Sequence, residues 1–239
     1  MGLSGNLSGP VGYPLAVPDD RRLRRRQESA LMRIGIIGSG HIGGTLTRRL
    51  TAAGHEVTVA NSRGPGSLQQ LATETGADTG SVEQAVRDGD VVVVAVPLAA
   101  VPALPADAFA GKVVVDADNY YPQRDGDIPE IADRSLTSSR WTANQLKGAR
   151  VVKAFNTMYA QHLMENGRPA GARDRIALPV AADDAPAKQL VMSLVEDLGF
   201  DPVDAGTLDE SWRQQPDTPV YGADRDADGV RRGLAEARP

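Results

Sequence analysis

The feature that most constrains this chain is the run Arg33-Ile34-Gly35-Ile36-Ile37-Gly38-Ser39-Gly40-His41-Ile42-Gly43. Arg33 to Ile37 is a short apolar segment bounded by glycine, which predicts a buried parallel strand. A Gly-x-Gly-x-x-Gly loop follows at once. Beyond it Ile42, Leu46, Leu50 and Ala53 recur at helical spacing, and Gly54 stands where a C-terminal cap belongs. Gly38 permits a tight turn out of the strand, Gly40 lets a ligand approach the backbone, and Gly43 lets the helix pack close to the strand. The start of the helix then offers free N–H groups and a partial positive charge to phosphates. Together, Gly38, Ser39, Gly40, His41, Ile42 and Gly43 predict a dinucleotide-binding βα unit.

The alternation continues along the chain. Val57–Ala60 reads as a second strand, Val91–Val96 as a fully buried strand stopped by Pro97, and Lys112–Asp116 and Val151–Phe155 as two more. Ser67 with Gln70, and Ser81 with Gln84, read as capping patterns that open helices. Arg175–Val180 is a further strand. A helix begins near Pro186, with Leu190, Val191, Leu194, Val195 and Leu198 on one face and Gly199 at its end. Phe200–Val203 is a terminal strand. The tail from Asp209 is polar, with an amphipathic helix from Asp226 to Ala237. Strands alternating with helices predict an α/β fold: a Rossmann-type, doubly wound, mostly parallel sheet with a small C-terminal extension. Residues 1–31, with the cluster Arg21-Arg22-Leu23-Arg24-Arg25-Arg26, are expected to be a disordered extension rather than a signal peptide. Residues 32–160 are expected to be the nucleotide-binding domain, and 161–239 a C-terminal α/β part that completes the sheet and the substrate pocket.

Composition narrows the chemistry. The 239 residues include no cysteine, which excludes disulfides, thiolate catalysis and Cys-ligated metals. No His/Asp/Glu cluster has metal-ligand spacing, so no metal site is expected, and no strand runs into Gly-x-Ser-x-Gly, so a hydrolase is not supported. A net charge of -5 argues against nucleic acid as a partner. The apolar runs fall short of the roughly 18 residues that a membrane helix needs, so a cytoplasmic protein is expected.

The end of the second strand selects the nucleotide. An acidic residue there would bind a ribose 2′-hydroxyl and favour NAD. This chain has Asn61-Ser62-Arg63 instead. Ser62 can donate to a 2′-phosphate and Arg63 can clamp it, which favours NADP(H). Ligands of open α/β sheets bind beyond the carboxyl ends of the strands. That makes Val96, Pro97 and Leu98 candidates to line the ribose and nicotinamide. His41, Asn119, Asn156 and Thr157 are candidates to orient or protonate a substrate, and Asp116 with Asp118 a candidate proton relay. Ala181-Ala182-Asp183 is a fourth such group. All of these residue types also form turns, and that alternative stays open. His55 is expected to be solvated and His162 to lie at a surface or interface.

The opening segment, the Asn61-Ser62-Arg63 turn, Val94-Ala95-Val96-Pro97 and Val151-Val152-Lys153-Ala154-Phe155-Asn156-Thr157 resemble the family of F420-dependent NADP oxidoreductases. The resemblance covers Met32 to about Leu208. It implies direct hydride exchange between NADPH and the deazaflavin coenzyme F420, with Ser62 and Arg63 on the 2′-phosphate and a homodimer whose C-terminal part helps form the deazaflavin pocket. His41 departs from the loop residue often found in that family, and Ser211 to Tyr221 is similar to a bacterial branch. Trp212 and Tyr221 are candidates to cover a flat ring or to anchor the C-terminal segment. Two alternatives are carried with this expectation. One is an NADPH-dependent reductase of a flavin, quinone, imine or ferric chelate. The other is a non-catalytic NADP(H) sensor.

Overall fold

A computed structural model of the chain describes Met1 and residues 31–238. The extension expected at residues 1–31, with its arginine cluster, lies outside the described residues save for its two ends. From Leu31 onward the chain forms one compact unit.

β1 (Arg33–Ile37) leads through the glycine loop into α1 (His41–Ala52), then β2 (Glu56–Ala60), α2 (Gln69–Thr75), β3 (Asp78–Thr79), α3 (Val82–Asp88) and β4 (Val91–Val94). β5 (Val113–Asp116), α4 (Ser138–Gln145), β6 (Arg150–Lys153) and α5 (Ala160–Glu165) follow. β7 (Ala177–Ala182), α6 (Ala185–Asp197), β8 (Asp201–Asp204), a 3₁₀ segment Leu208–Gln214 and α7 (Ala227–Glu236) complete the chain. The strands lie in the order β3-β2-β1-β4-β5-β6-β7-β8. All neighbours are parallel except β6 and β7, which are antiparallel. This is the expected Rossmann-type sheet, with its switch point between β1 and β4.

The valine run explains the two-layer core. Successive strand residues face opposite sides. Val91 and Val93 therefore join Ile34, Ile36 and Leu46 in one apolar layer, while Val92 and Val94 join Ile37, Phe109 and Trp141 in the other. The register matters for function. Ile37 pairs with Ala60 on one side and Val94 on the other, Val94 pairs with Asp116, and Asp116 with Lys153. The carboxyl ends of these strands thus form one level row.

Several local expectations change. β4 ends at Val94 rather than Val96, because the Val96 N–H leaves the sheet to donate to the Asp118 carboxylate at 2.8 Å. Ser67 does not cap a helix. It sits in the 3₁₀ turn Pro65–Leu68, donates to the Gly64 carbonyl at 2.8 Å, and α2 starts only at Gln69. Ser81 does cap its helix, accepting from the Gln84 N–H. His55 is buried rather than solvated: Nδ1 accepts from the Met32 N–H at 3.3 Å, and burial lowers its pKa. The tail from Asp209 is not simply polar surface, since Ser211 and Gln214 are fully buried.

The closest backbone approach lies where α1 meets β1. A Cβ at Gly43 would stand 2.0 Å from the Gly38 carbonyl oxygen, and one at Gly38, whose φ is 105°, would stand 2.1 Å from the Ala95 carbonyl oxygen. Gly43→Ala should therefore cost about 1–3 kcal/mol through overpacking, read as a lower urea midpoint. An unchanged midpoint would show that α1 can slide away from β1 freely.

Candidate active site

The glycine loop leaves α1 open at its start. Gly40 is the residue that precedes the helix, and no side chain caps it. A Cβ added at Gly40 would meet nothing within 4 Å, so the space in front of the helix is clear. Early helical N–H groups with no intrahelical partner and open space ahead are what an anion requires.

Asn61 ties this loop to the end of β2. Its Nδ2 donates to Ser39 Oγ and to Ser67 Oγ, both at 2.9 Å, while Oδ1 accepts from the Arg63 N–H at 2.9 Å. All the polar atoms of Asn61 thus set the shape of the turn. Ser62 and Arg63 are exposed, and their side chains make no hydrogen bond or ion pair among the described residues. Arg63 lines a depression of about 710 Å³ together with Ser39, Gly40, His41 and Arg48. Arg48 is already paired with Glu74 at 2.7 Å, so Arg63 is the unspent cation of the two. The residues present fit a phosphorylated dinucleotide: an uncapped helix start for the pyrophosphate, an unpaired arginine, and no carboxylate at the end of β2.

A second crevice, of about 840 Å³, adjoins the first at Gly40 and His41. Val96, Pro97, Asn119 and Asn156 lie along it, and His41 stands exposed at the junction. Leu98 and Thr157 do not line it. Leu98 is fully buried in the core because the chain turns into a 3₁₀ segment directly after Pro97. The Thr157 side chain is buried, and the residue contributes through its carbonyl, which accepts from the Gly222 N–H at 2.8 Å. Ala181-Ala182-Asp183 does not line the crevice either: Ala181 pairs with Lys153 and Ala182 with Val152, and because β7 runs antiparallel to β6 the chain then heads away from the crevice. There Asp183 pairs with Arg140 at 2.8 Å. Trp212 is also away from this crevice, in a separate depression with Ile131 and Pro216.

Asn119 and Asn156 act on each other. Asn119 Nδ2 donates to the Asn156 carbonyl at 2.9 Å, and Asn156 Nδ2 donates to Asn119 Oδ1 at 3.0 Å and to the Gln214 carbonyl at 2.7 Å. Gln214 Nε2 returns a bond to Asn156 Oδ1 at 3.1 Å. Asn156 is therefore saturated, a bracket that joins the β5 and β6 ends to the C-terminal 3₁₀ segment. Phe155 enters this bracket with φ of 63°, a left-handed conformation that costs a non-glycine residue about 1–3 kcal/mol. Tertiary contacts hold it there, with its ring buried.

Beneath the crevice lie Asp116, Asp118 and Lys153, all buried. Asp116 accepts from Lys153 Nζ at 3.3 Å through Oδ2 and from the Asp118 N–H at 3.0 Å through Oδ1. Lys153 also donates to the Asp118 carbonyl. The lysine charge is thus matched by Asp116. Asp118 is left with the Val96 N–H on one oxygen and, among the described residues, no partner for the other. Burial, and then the neighbouring Asp116, push its pKa well above the usual carboxylate range. This asymmetry depends on strand register, which no local pattern of residues encodes. Tyr121, Arg124 and Tyr159, which also line the crevice, were missed as site residues because only the fold brings them beside Tyr221.

A raised folded-state pKa means that the native protein keeps a proton that the unfolded chain releases. Stability then falls as pH rises from the ordinary carboxylate value toward the folded one. Asp118→Asn retains the acceptor for Val96 and removes the ionisation. Thermal melts between about pH 5 and about pH 8 should show wild-type stability declining relative to this variant. Parallel curves would mean that Asp118 is ionised throughout.

Residues 33–120 match the family model described as NADP oxidoreductase, coenzyme F420-dependent. The metalloreductase STEAP3 of Rattus norvegicus is 30% identical over 213 residues, which covers 86% of this chain and 40% of the relative. A crystal structure of a hypothetical protein, SMa0349 from Sinorhizobium meliloti, is 32% identical with a TM-score of 0.71, covering 84% of this chain and 98% of that one. A structure from Arthrobacter sp. FB24, provisionally named an F420-dependent NADP-reductase, is 29% identical with a TM-score of 0.62, covering 74% and 86%. The chain spans about half, or less, of the length of the curated relatives it matches. The region matched by the family model contains the glycine loop, the Asn61-Ser62-Arg63 turn and the Val96-Pro97 wall, and over residues 33–120 the chain is similar to the coenzyme F420-dependent NADP oxidoreductases.

Proposed function

We propose that the protein is an NADPH-dependent oxidoreductase that exchanges a hydride between NADP(H) and a second ring system, coenzyme F420, seated in the adjoining crevice. The observation that carries this reading is the junction at Gly40 and His41. There an uncapped helix start with an unpaired arginine beside it opens directly into a second crevice. The first part suits the nucleotide's phosphates, and the second is large enough for a partner at its redox end.

NADP(H), when bound, supplies the hydride chemistry. The chain's own residues bind, orient and exclude water. Gly38 to Gly43 present backbone N–H groups to the pyrophosphate, and Ser62 and Arg63 hold the 2′-phosphate. Val96 and Pro97 form the wall along the nicotinamide ribose and ring. His41 is placed to hydrogen-bond at the junction. Asn119 and Asn156 keep the floor rigid, with Thr157 fastening the C-terminal segment over it. A homodimer in a cytoplasmic setting belongs to the same reading. Among the described residues no helix is long and apolar enough to cross a membrane.

A second reading replaces F420 by a flavin or ferric chelate, and it draws support from the likeness to a metalloreductase over 86% of the chain. Steady-state NADPH oxidation separates the two. Turnover with F420 but little with FMN or ferric citrate is the expected outcome, and the reverse order favours the second reading. Tight NADPH binding with no turnover on any acceptor would instead indicate a sensor.

Nucleotide choice has its own test. Arg63→Ala should weaken NADPH binding by about 1–3 kcal/mol, the scale of a charge-assisted hydrogen bond, and leave NADH nearly unaffected. Equal losses for both would remove Arg63 from the 2′-phosphate.

A further inference from the structure

The wall of the second crevice that faces away from the glycine loop is aromatic. Tyr121 follows β5, and Tyr221 lies 100 residues later on the segment after Gln214. Their hydroxyls hydrogen-bond each other. That segment is pinned in place, since the Tyr221 N–H donates to the Thr218 carbonyl at 3.0 Å and the next N–H to the Thr157 carbonyl. Tyr159 stands on the same crevice, 57% exposed, with its ring edge-on to His162 at 5.6 Å.

Counting protons shows what this pair can do. Two phenols carry two O–H protons. One is used in the mutual bond, whichever tyrosine donates it. The other has no acceptor among the described residues, although both rings are half-buried. Burial and the shared bond raise the Tyr221 pKa above the ordinary phenol range, so Tyr221 keeps its proton. The nearest cation does not change this. Arg124 lies over the Tyr121 ring, 4.9 Å from its centre, but pairs with Asp125 at 2.8 Å. The pair therefore presents one neutral donor, set in an aromatic wall. Its complement is a hydrogen-bond acceptor on a flat molecule that can lie against the aromatic wall.

We propose that Tyr121 and Tyr221 together form the polar clamp of the hydride-acceptor site, orienting a flat, conjugated ring by one hydrogen bond to its carbonyl oxygen or ring nitrogen. This rests on the reading that the second crevice takes the acceptor. The clamp is a positioning and specificity device. It moves no electrons.

Equilibrium binding of coenzyme F420 and of lumiflavin, a neutral ring without a charged side chain, tests it in the presence of saturating NADP⁺. For whichever ring binds the wild-type protein more tightly, Tyr121→Phe/Tyr221→Phe should lose about tenfold in affinity or more. Each single variant should lose less, because one hydroxyl remains and is freed to donate. NADP⁺ affinity should stay within about twofold in all three, which also shows that the variants fold. The single variants carry the test if the double variant does not fold: an unchanged ring affinity in both would overturn the clamp. So would a double variant that binds the ring as tightly as wild type. Failure of both rings to bind wild type, with NADP⁺ binding intact, would overturn the flat-ring acceptor and leave the nucleotide site standing. Absence of NADP⁺ binding to wild type would instead defeat the underlying reading, and this proposal with it.

Discussion

The level row of strand ends across Ala60, Ile37, Val94, Asp116 and Lys153 is the constraint on which the rest of the molecule depends. Parallel strands in register bring their carboxyl ends to one edge, and each following residue must leave the sheet there. Its backbone groups lose their ladder partners at that point and need new ones. Asn61 satisfies them at β2 and Asp118 at β4, and Asn119 does the same beyond β6 by donating to the Asn156 carbonyl. The loops of the crevice are rigid because these debts are settled by side chains. A slip of one residue would turn every valine to the wrong layer and separate Asp116 from Lys153.

The same row sorts charge. Asp116 and Lys153 meet because they are register partners on one face, and their pairing leaves the floor of the crevice nearly neutral. Asp118 adds a carboxyl that burial disfavours as an anion. At the other end the helix start and Arg63 are positive, and Arg63 forms no ion pair among the described residues. The binding surface therefore runs from cationic to neutral along its length. That gradient suits a ligand with phosphates at one end and an uncharged ring at the other.

The nucleotide half was legible in the sequence because its determinants are local. Glycine at 38, 40 and 43 acts through backbone space within a single βα turn, and Asn61 to Arg63 follow one strand end. Strand type was legible from Val91 to Val94, although the strand's true end was not, since it depends on a carboxylate 22 residues further on. The acceptor side was not legible for the same kind of reason. Tyr121 and Tyr221 lie 100 residues apart, and Gln214 reaches Asn156 across 58. His55 looked like a surface residue beside a helix-ending glycine, yet it is sealed beneath Met32. The antiparallel turn of β7 leaves no mark in an apolar run, which is why Ala181 to Asp183 looked like a site edge.

That reversal between β6 and β7 has a consequence for how such a protein can diversify. Because β7 and β8 run opposite to β6, the residues that follow them head away from the crevice. The C-terminal part of the chain reaches it through irregular chain, held by Gln214 and the backbone of Thr157. Irregular segments tolerate exchange far better than strands do. One half of the reaction is thus written into the sheet, while the other hangs from it on a detachable piece. New acceptors can be tried by altering that piece without disturbing the machinery that holds the nucleotide.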